Sequence, residues 1–377
     1  MRQIIMQNAL IFLEASMPIY LQRFATFLLI IAFCANAAEL KDDAAKPVAR
    51  VEATVETTLL TALPQIRMFA FDGDPNSYFA SSNNAGASDH FTLVFDKPVA
   101  VKSIGILTGR VKGGDALDAG SLEVSDDGKT FESLAKFSDG AIKADAKGRM
   151  LLAVRIKPAD DLKHPLAVRE FSIESDPPVA IFKYPVEVVV EVKDAPEMKE
   201  WADKSARINE RAYQMICEEL KSDGFTPRTV VPMTMKNDYK GVAVTYNSAN
   251  IVGATKYFKE HANDFGAMVH EMVHVVQSYR SRNNPGWLVE GLADYIRNYR
   301  WEPKKPRPLT PEQAKYDGSY QITARFLAFL MDNYDAAIVH TLNKLMREGK
   351  YTEDTFKELT KKTLPELGEE WKASLRK

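Results

Sequence analysis

The sequence predicts a multidomain protein in which an N-terminal all-β sandwich is followed by a C-terminal α+β domain. Three observations carry that expectation. Between about Val51 and Asp176, short apolar runs alternate with clusters of Gly, Asp, Asn and Pro, with little helical periodicity. Beyond Asp176-Pro177-Pro178 the pattern changes to a strand, a long amphipathic helix and further strands. His270-Glu271-Met272-Val273-His274 then lies inside an apolar helical pattern, and a second helical pattern carries Glu290 and Asp294. The chain has 377 residues, enough for two or three domains with ample cores. Its formal net charge of −2, from 49 basic and 51 acidic side chains, gives no reason to expect nucleic acid as a partner.

The first residues read as an export signal rather than as fold. Arg23 precedes the apolar run Phe24–Phe33, and Ala35-Asn36-Ala37-Ala38 offers a small-residue cleavage site. Residues 1–38 are therefore expected to be removed, with Met17 an alternative true start. The apolar run is short for a bilayer span, so no stable membrane span is expected after cleavage, and the protein is expected to be secreted or periplasmic. Phe33 stands where a lipoprotein signal would place a small residue before Cys34. Residues 39–50 are polar and read as a flexible leader. The mature chain keeps only Cys217, which allows no internal disulfide and is expected to be a small buried apolar residue.

Within 51–176, strands are expected at Phe91–Phe95, Val101–Leu107, Ser121–Ser125, Leu151–Ile156 and Val168–Ile173, with Asp126-Asp127-Gly128-Lys129 as a hairpin turn. Asp72, Asp74 and Asn76 place oxygen ligands at alternate positions, which would suit a structural Ca2+ ion. The same residue types shape a turn without any ion, and the turn is the preferred reading. Tyr78 and Phe79 are either carbohydrate-stacking groups or core aromatics. The order Phe71-Asp72-Gly73-Asp74-Pro75-Asn76-Ser77-Tyr78-Phe79, a strand, Lys97-Pro98, another strand and Ser125-Asp126-Asp127-Gly128 resembles discoidin-type, galactose-binding-like modules. That resemblance implies a glycan or cell-surface ligand and a calcium site near the first of these loops.

Residues 177–183 read as a linker, and 184–377 as the second domain. Strands are expected at Val186–Val192, Thr229–Met235, Lys240–Tyr246 and Asn250–Ala254, with a helix over Met198–Leu220. This order ahead of the His-Glu-x-x-His sequence resembles the N-terminal half of a zincin peptidase. There the strand nearest the cleft pairs with an extended substrate, and Gly241–Tyr246 is the candidate. After the prolines between Pro303 and Pro311, helices are expected at Tyr320–Tyr334, Ala336–Arg347 and Leu364–Leu375.

The chemistry is concentrated between Asp264 and Arg300. Asn263 or Asp264 can cap the first helix, on which His270 and His274 stack one turn apart and reach a single ion. Only six histidines occur in the chain, so two at this spacing around a glutamate are improbable by accident. Catalytic zinc takes three protein ligands and keeps one position open. Glu290, sixteen residues past His274, is expected to supply the third ligand, and Asp294 to orient a histidine, His270 first; the reverse assignment of the two carboxylates is the competing one. Gly291 keeps the helix thin where a neighbour must approach. Glu271 stands beside the ligands as general base and acid. Tyr320, His261 and Tyr295 are candidate donors to a developing oxyanion, and Tyr320 is preferred because it opens a helix.

Four stretches carry a more specific resemblance: Lys240–Ala243, Asp264–Val275, Trp287–Tyr295 and Tyr320–Leu327. In this order they resemble the basic secretory protein family, zinc peptidases of plants and bacteria. The resemblance implies a gluzincin-like fold, Zn2+ on His270 and His274, Glu271 as catalytic residue, and a peptide or protein substrate. The near-neutral charge departs from the family's name. The competing expectation is a secreted protein that holds zinc without turnover or binds glycan or cell wall through its β-domain.

Overall fold

The computed structural model describes residues 51–280, 283–303 and 308–376. The expected signal 1–38 and leader 39–50 lie outside them, as does Pro306. No helix among the described residues is long and apolar enough to cross a membrane.

Seven strands build the N-terminal part: β1 (Ala53–Thr57), β2 (Phe79–Asn84), β3 (Phe91–Thr108), β4 (Gly120–Ser125), β5 (Glu132–Lys136), β6 (Ala141–Pro158) and β7 (Pro165–Asp176). All pair antiparallel. The two strands expected at Phe91–Phe95 and Val101–Leu107 are one. Its ladder breaks between Val94 and Val99, where Pro98 has no N–H to give, and the strand bends there instead of ending. The first half of β3 pairs with β1, and the second half with β7. Because β6 follows β3 along both halves, the two long strands carry the chain from one face to the other and close a sandwich over a core. Phe79 belongs to that core, 4.9 Å from Phe91, which lies 5.9 Å from Phe171. The hairpin at Asp126–Lys129 joins β4 to β5, with Asp127 accepting from the backbone of Lys129 and Thr130.

Asp72, Asp74 and Asn76 close a turn through their own bonds. Asp72 accepts from Asp74 N at 3.0 Å and from Ser77, and Asp74 accepts from both nitrogens of Asn76. Burial and the nearby carboxylates of Asp72 and Asp74 push the Glu170 carboxyl up to about 8.

Residues 177–183 run against the sandwich. Val179 bridges to Val51, and Phe182 N donates to Phe71 O at 2.9 Å. Next comes a mixed sheet of β8 (Glu187–Glu191), β9 (Val230–Lys236), β10 (Ala243–Tyr246) and β11 (Asn250–Ala254), ordered β10-β11-β9-β8. The helices are α1 (Lys199–Glu219), α2 (Thr255–Glu260), α3 (Phe265–Gln277), α4 (Gly286–Tyr295), α5 (Tyr320–Asn333), α6 (Ile338–Glu348), α7 (Asp354–Thr360) and α8 (Leu364–Ser374). Cys217 is buried on α1, and its thiol is pushed up to about 12 by that burial, which makes it inert.

A buried ionic cluster ties the sandwich to this second part. Arg67 reaches Glu210 of α1 at 3.0 Å and Glu187 of β8 at 3.3 Å, while Thr61 donates to Glu187 at 2.7 Å. Glu210 is 3% exposed, and also takes Val188 N and the Arg207 guanidinium, each at 2.8 Å. Two guanidinium and two carboxylate groups balance, which is the condition for burying them. Further on, Arg347 of α6 donates to Leu220 O, Val276 O and Gln277 O at 2.7, 2.9 and 3.2 Å, gathering the C-terminal ends of α1 and α3.

Candidate active site

Helix α3 is capped by Asp264, which accepts from Ala267 N at 3.2 Å. Met268, Val269, Met272, Val273, Val275 and Val276 are all buried, so the helix is fixed by its packing and the histidine face has one possible direction. That face looks at α4, which packs on α5 at very short range. A Cβ added to Gly291 would stand 2.1 Å from Thr323 Cγ2, so only glycine allows this approach. Glu290, next to it, is thereby set opposite α3.

Three acceptor atoms converge there. His270 Nε2 lies 3.1 Å from both His274 Nε2 and Glu290 Oε2, and His274 Nε2 lies 3.4 Å from Glu290 Oε2. Both other ring nitrogens are engaged behind. His270 Nδ1 is 2.7 Å from Asp294 Oδ1, and His274 Nδ1 is 2.7 Å from Gln277 Oε1. Acceptors gathered in this way call for a positive charge between them. A proton can supply it: burial opposes a charged His270, yet bonds to Asp294 and Glu290 outweigh burial and hold it up to about 9. The histidines likewise bring Glu290 down to about 2 in spite of burial. A metal ion meets the same demand. Zinc with bonds of about 2.0–2.1 Å sets tetrahedral ligand atoms about 3.3 Å apart, the spacing found here, and two imidazoles with a carboxylate are ligands it takes. The three atoms form a candidate metal-holding group compatible with zinc.

The remaining expected residues separate clearly. Glu271 is 7% exposed, and its Oε2 accepts from Thr245 Oγ1 at 2.7 Å. Tyr320 lines the cleft, 56% exposed, with its ring 6.1 Å from that of His270. Ser319 and Tyr320 have φ of 61° and 46°, a left-handed pair that costs energy in residues with a Cβ and turns the Tyr320 side chain at the helix start. Tyr295 is buried against Tyr299, and His261 stacks on Tyr257; neither lines the cleft. The cleft, of about 980 Å³, is bordered by Gly241–Thr245, so β10 lies at the sheet edge beside Glu271. Thr245 and Gln277 were not singled out in the sequence. Thr245 lies within the expected cleft strand, and Gln277 stands three residues past His274; those positions were the only signal available.

Fold and site together define an α+β domain with a helix-borne His-His-Glu centre, preceded by an antiparallel β-sandwich. Residues 197–371 match the family model described as peptidase of plants and bacteria, so the family resemblance read from the four stretches holds over that segment. Solved structures similar to the chain, several of them family 32 carbohydrate-binding modules, align with about a third of it. CBM32-1 of a family 31 glycoside hydrolase from Clostridium perfringens is 20% identical, covering 34% of this chain and 99% of its own, at a TM-score of 0.29. The C-terminal domain of a chitobiase from Bacteroides fragilis is 19% identical, covering 33% and 93%, at 0.27. A family 32 module of C. perfringens NanJ, solved with galactose, is 14% identical, covering 32% and 92%, at 0.28. No curated protein matches the chain.

Proposed function

We propose that the protein is a secreted zinc-dependent metallopeptidase that hydrolyses peptide bonds. The observation that carries this reading is the convergence of His270, His274 and Glu290 within 3.4 Å, beside Glu271, in a segment that matches a peptidase family. His270, His274 and Glu290 hold the ion, and Asp294 orients His270. Zinc, when bound, supplies a Lewis acid that acidifies water and polarises a carbonyl. Glu271 Oε2 takes the proton of the attacking water and returns it to the leaving amine. Thr245 keeps that carboxylate aimed. The Tyr320 hydroxyl donates to the oxyanion, and the free edge of β10 pairs with the extended substrate.

The test is zinc analysis of the purified protein together with digestion of casein. About one zinc per chain and cleavage that stops on chelation are expected. Protein without zinc, or cleavage indifferent to chelation, removes the reading.

The β-sandwich is proposed to take a glycan or cell-surface ligand. Tyr78 supports this, half-buried with the Arg110 guanidinium 6.0 Å from its ring centroid, as an aromatic face and a planar donor are what a sugar packs against. On a glycan array the parent is expected to bind, with Tyr78→Ala weaker; a blank array with the parent ends this proposal.

A further inference from the structure

The two histidines of the centre are held from behind by unlike groups. Asp294 is a carboxylate one helix away. Gln277 is a neutral amide on α3 itself, the last residue of the helix and 2% exposed. An amide can turn either its oxygen or its nitrogen toward a neighbour, and here a second bond decides which. Gln277 Nε2 donates to Val289 O at 3.0 Å. A carbonyl only accepts, so the amide nitrogen must face Val289 and the oxygen must face His274. The amide oxygen also only accepts, so Nδ1 of His274 carries the hydrogen. Nε2 is left with a bare lone pair, and Nε2 is the atom that converges with His270 and Glu290.

We propose that Gln277 is the positioning residue of His274: it selects the ring tautomer whose Nε2 can bind a cation, and ties that ring to the α4 backbone beside Glu290. One side chain thus fixes the second histidine and the third ligand to each other. Val289 directly precedes Glu290, so the carbonyl that orients the amide belongs to the turn that carries the carboxylate. An amide does this without adding charge, whereas a second carboxylate would put another negative group beside Glu290, Glu271 and Asp294. The helix end does not depend on the Gln277 side chain, because Arg347 holds the Val276 and Gln277 carbonyls. The part of the inference that concerns metal rests on the zinc reading given above.

The experiment compares the parent with Gln277→Met, which keeps the volume and loses the acceptor, and Gln277→Glu, which keeps an acceptor. With ¹⁵N-labelled histidine and no metal added, His274 of the parent is expected as the Nδ1–H tautomer, and Gln277→Met is expected to lose that preference. Zinc affinity, measured by chelator competition, is expected to fall about 10–100-fold in Gln277→Met, and Gln277→Glu, which keeps the acceptor for His274 but loses the bond to Val289 O, is expected to recover only part of the loss. The inference is overturned by an Nε2–H tautomer in the parent, or by equal zinc affinity in parent and Gln277→Met. A parent that takes up no zinc overturns the metal centre and the inference together. That outcome is distinct from the case where parent and methionine variant bind zinc equally.

Discussion

Glu271→Gln is expected to leave the zinc content unchanged and to lower kcat for peptide cleavage by roughly 10²–10⁴-fold, the usual worth of a positioned general base. Glutamine has the same shape as glutamate, and its amide can still meet the Thr245 hydroxyl that now lies 2.7 Å from Oε2. What it lacks is a basic oxygen to receive the proton of water. The three atoms that converge as candidate ligands do not include Glu271, so metal uptake has no reason to change. Zinc per chain and single-turnover cleavage of a peptide, measured on the same preparations, separate the two roles. A variant that cleaves at the parent's rate, or that arrives without zinc, would falsify the assignment.

Arg67→Met is expected to cost about 3–5 kcal/mol of stability, the range for removing one member of a buried ionic group. The methionine side chain fills much of the space but leaves Glu187 without a guanidinium and Glu210 with only Arg207. Burial already pushes the Glu210 carboxyl upward against the opposing pull of Arg67 and Arg207, so losing one arginine moves it toward the neutral form. Urea unfolding followed by tryptophan fluorescence gives the measurement, since all four tryptophans lie beyond the sandwich and report on the partner of the altered residue. A loss of less than about 1 kcal/mol would mean that water reaches the cluster and that it does not hold the two parts together.

The legible part of the site was the part set by helix geometry. Residues four apart share a face whatever surrounds them, so His270 with His274, and Glu290 with Asp294, could be paired on paper. Gly291 could be read as a close approach, although Thr323 as the thing approached could not. Thr245 and Gln277 meet their partners only after β10 and α4 have docked on α3, and nothing in the local pattern announces that. In the sandwich, Lys97-Pro98 looked like the end of a strand because proline breaks a ladder; that the chain continues into the opposite sheet depends on β1, β6 and β7 pairing along it. Strand β5 was missed because Glu132–Lys136 is short and polar, as an edge strand can be. The ionic cluster joins residues 120 and 143 positions apart, beyond any pattern read along a sequence.

Arg347 sets an order of events on the chain. The carbonyl it takes from α1 lies 127 positions earlier, and those it takes from α3 lie 70 and 71 positions earlier. While the polypeptide is being made, the residues of both helices are in place long before the guanidinium that joins their ends. Helix α3 is therefore completed from behind by a residue that arrives late. A chain shortened ahead of α6 would still contain His270, His274, Glu290 and Glu271, yet the carbonyls at the end of α3 would face no guanidinium. The stretch from His270 to Glu290 is thus tied to a part of the chain that lies well past it.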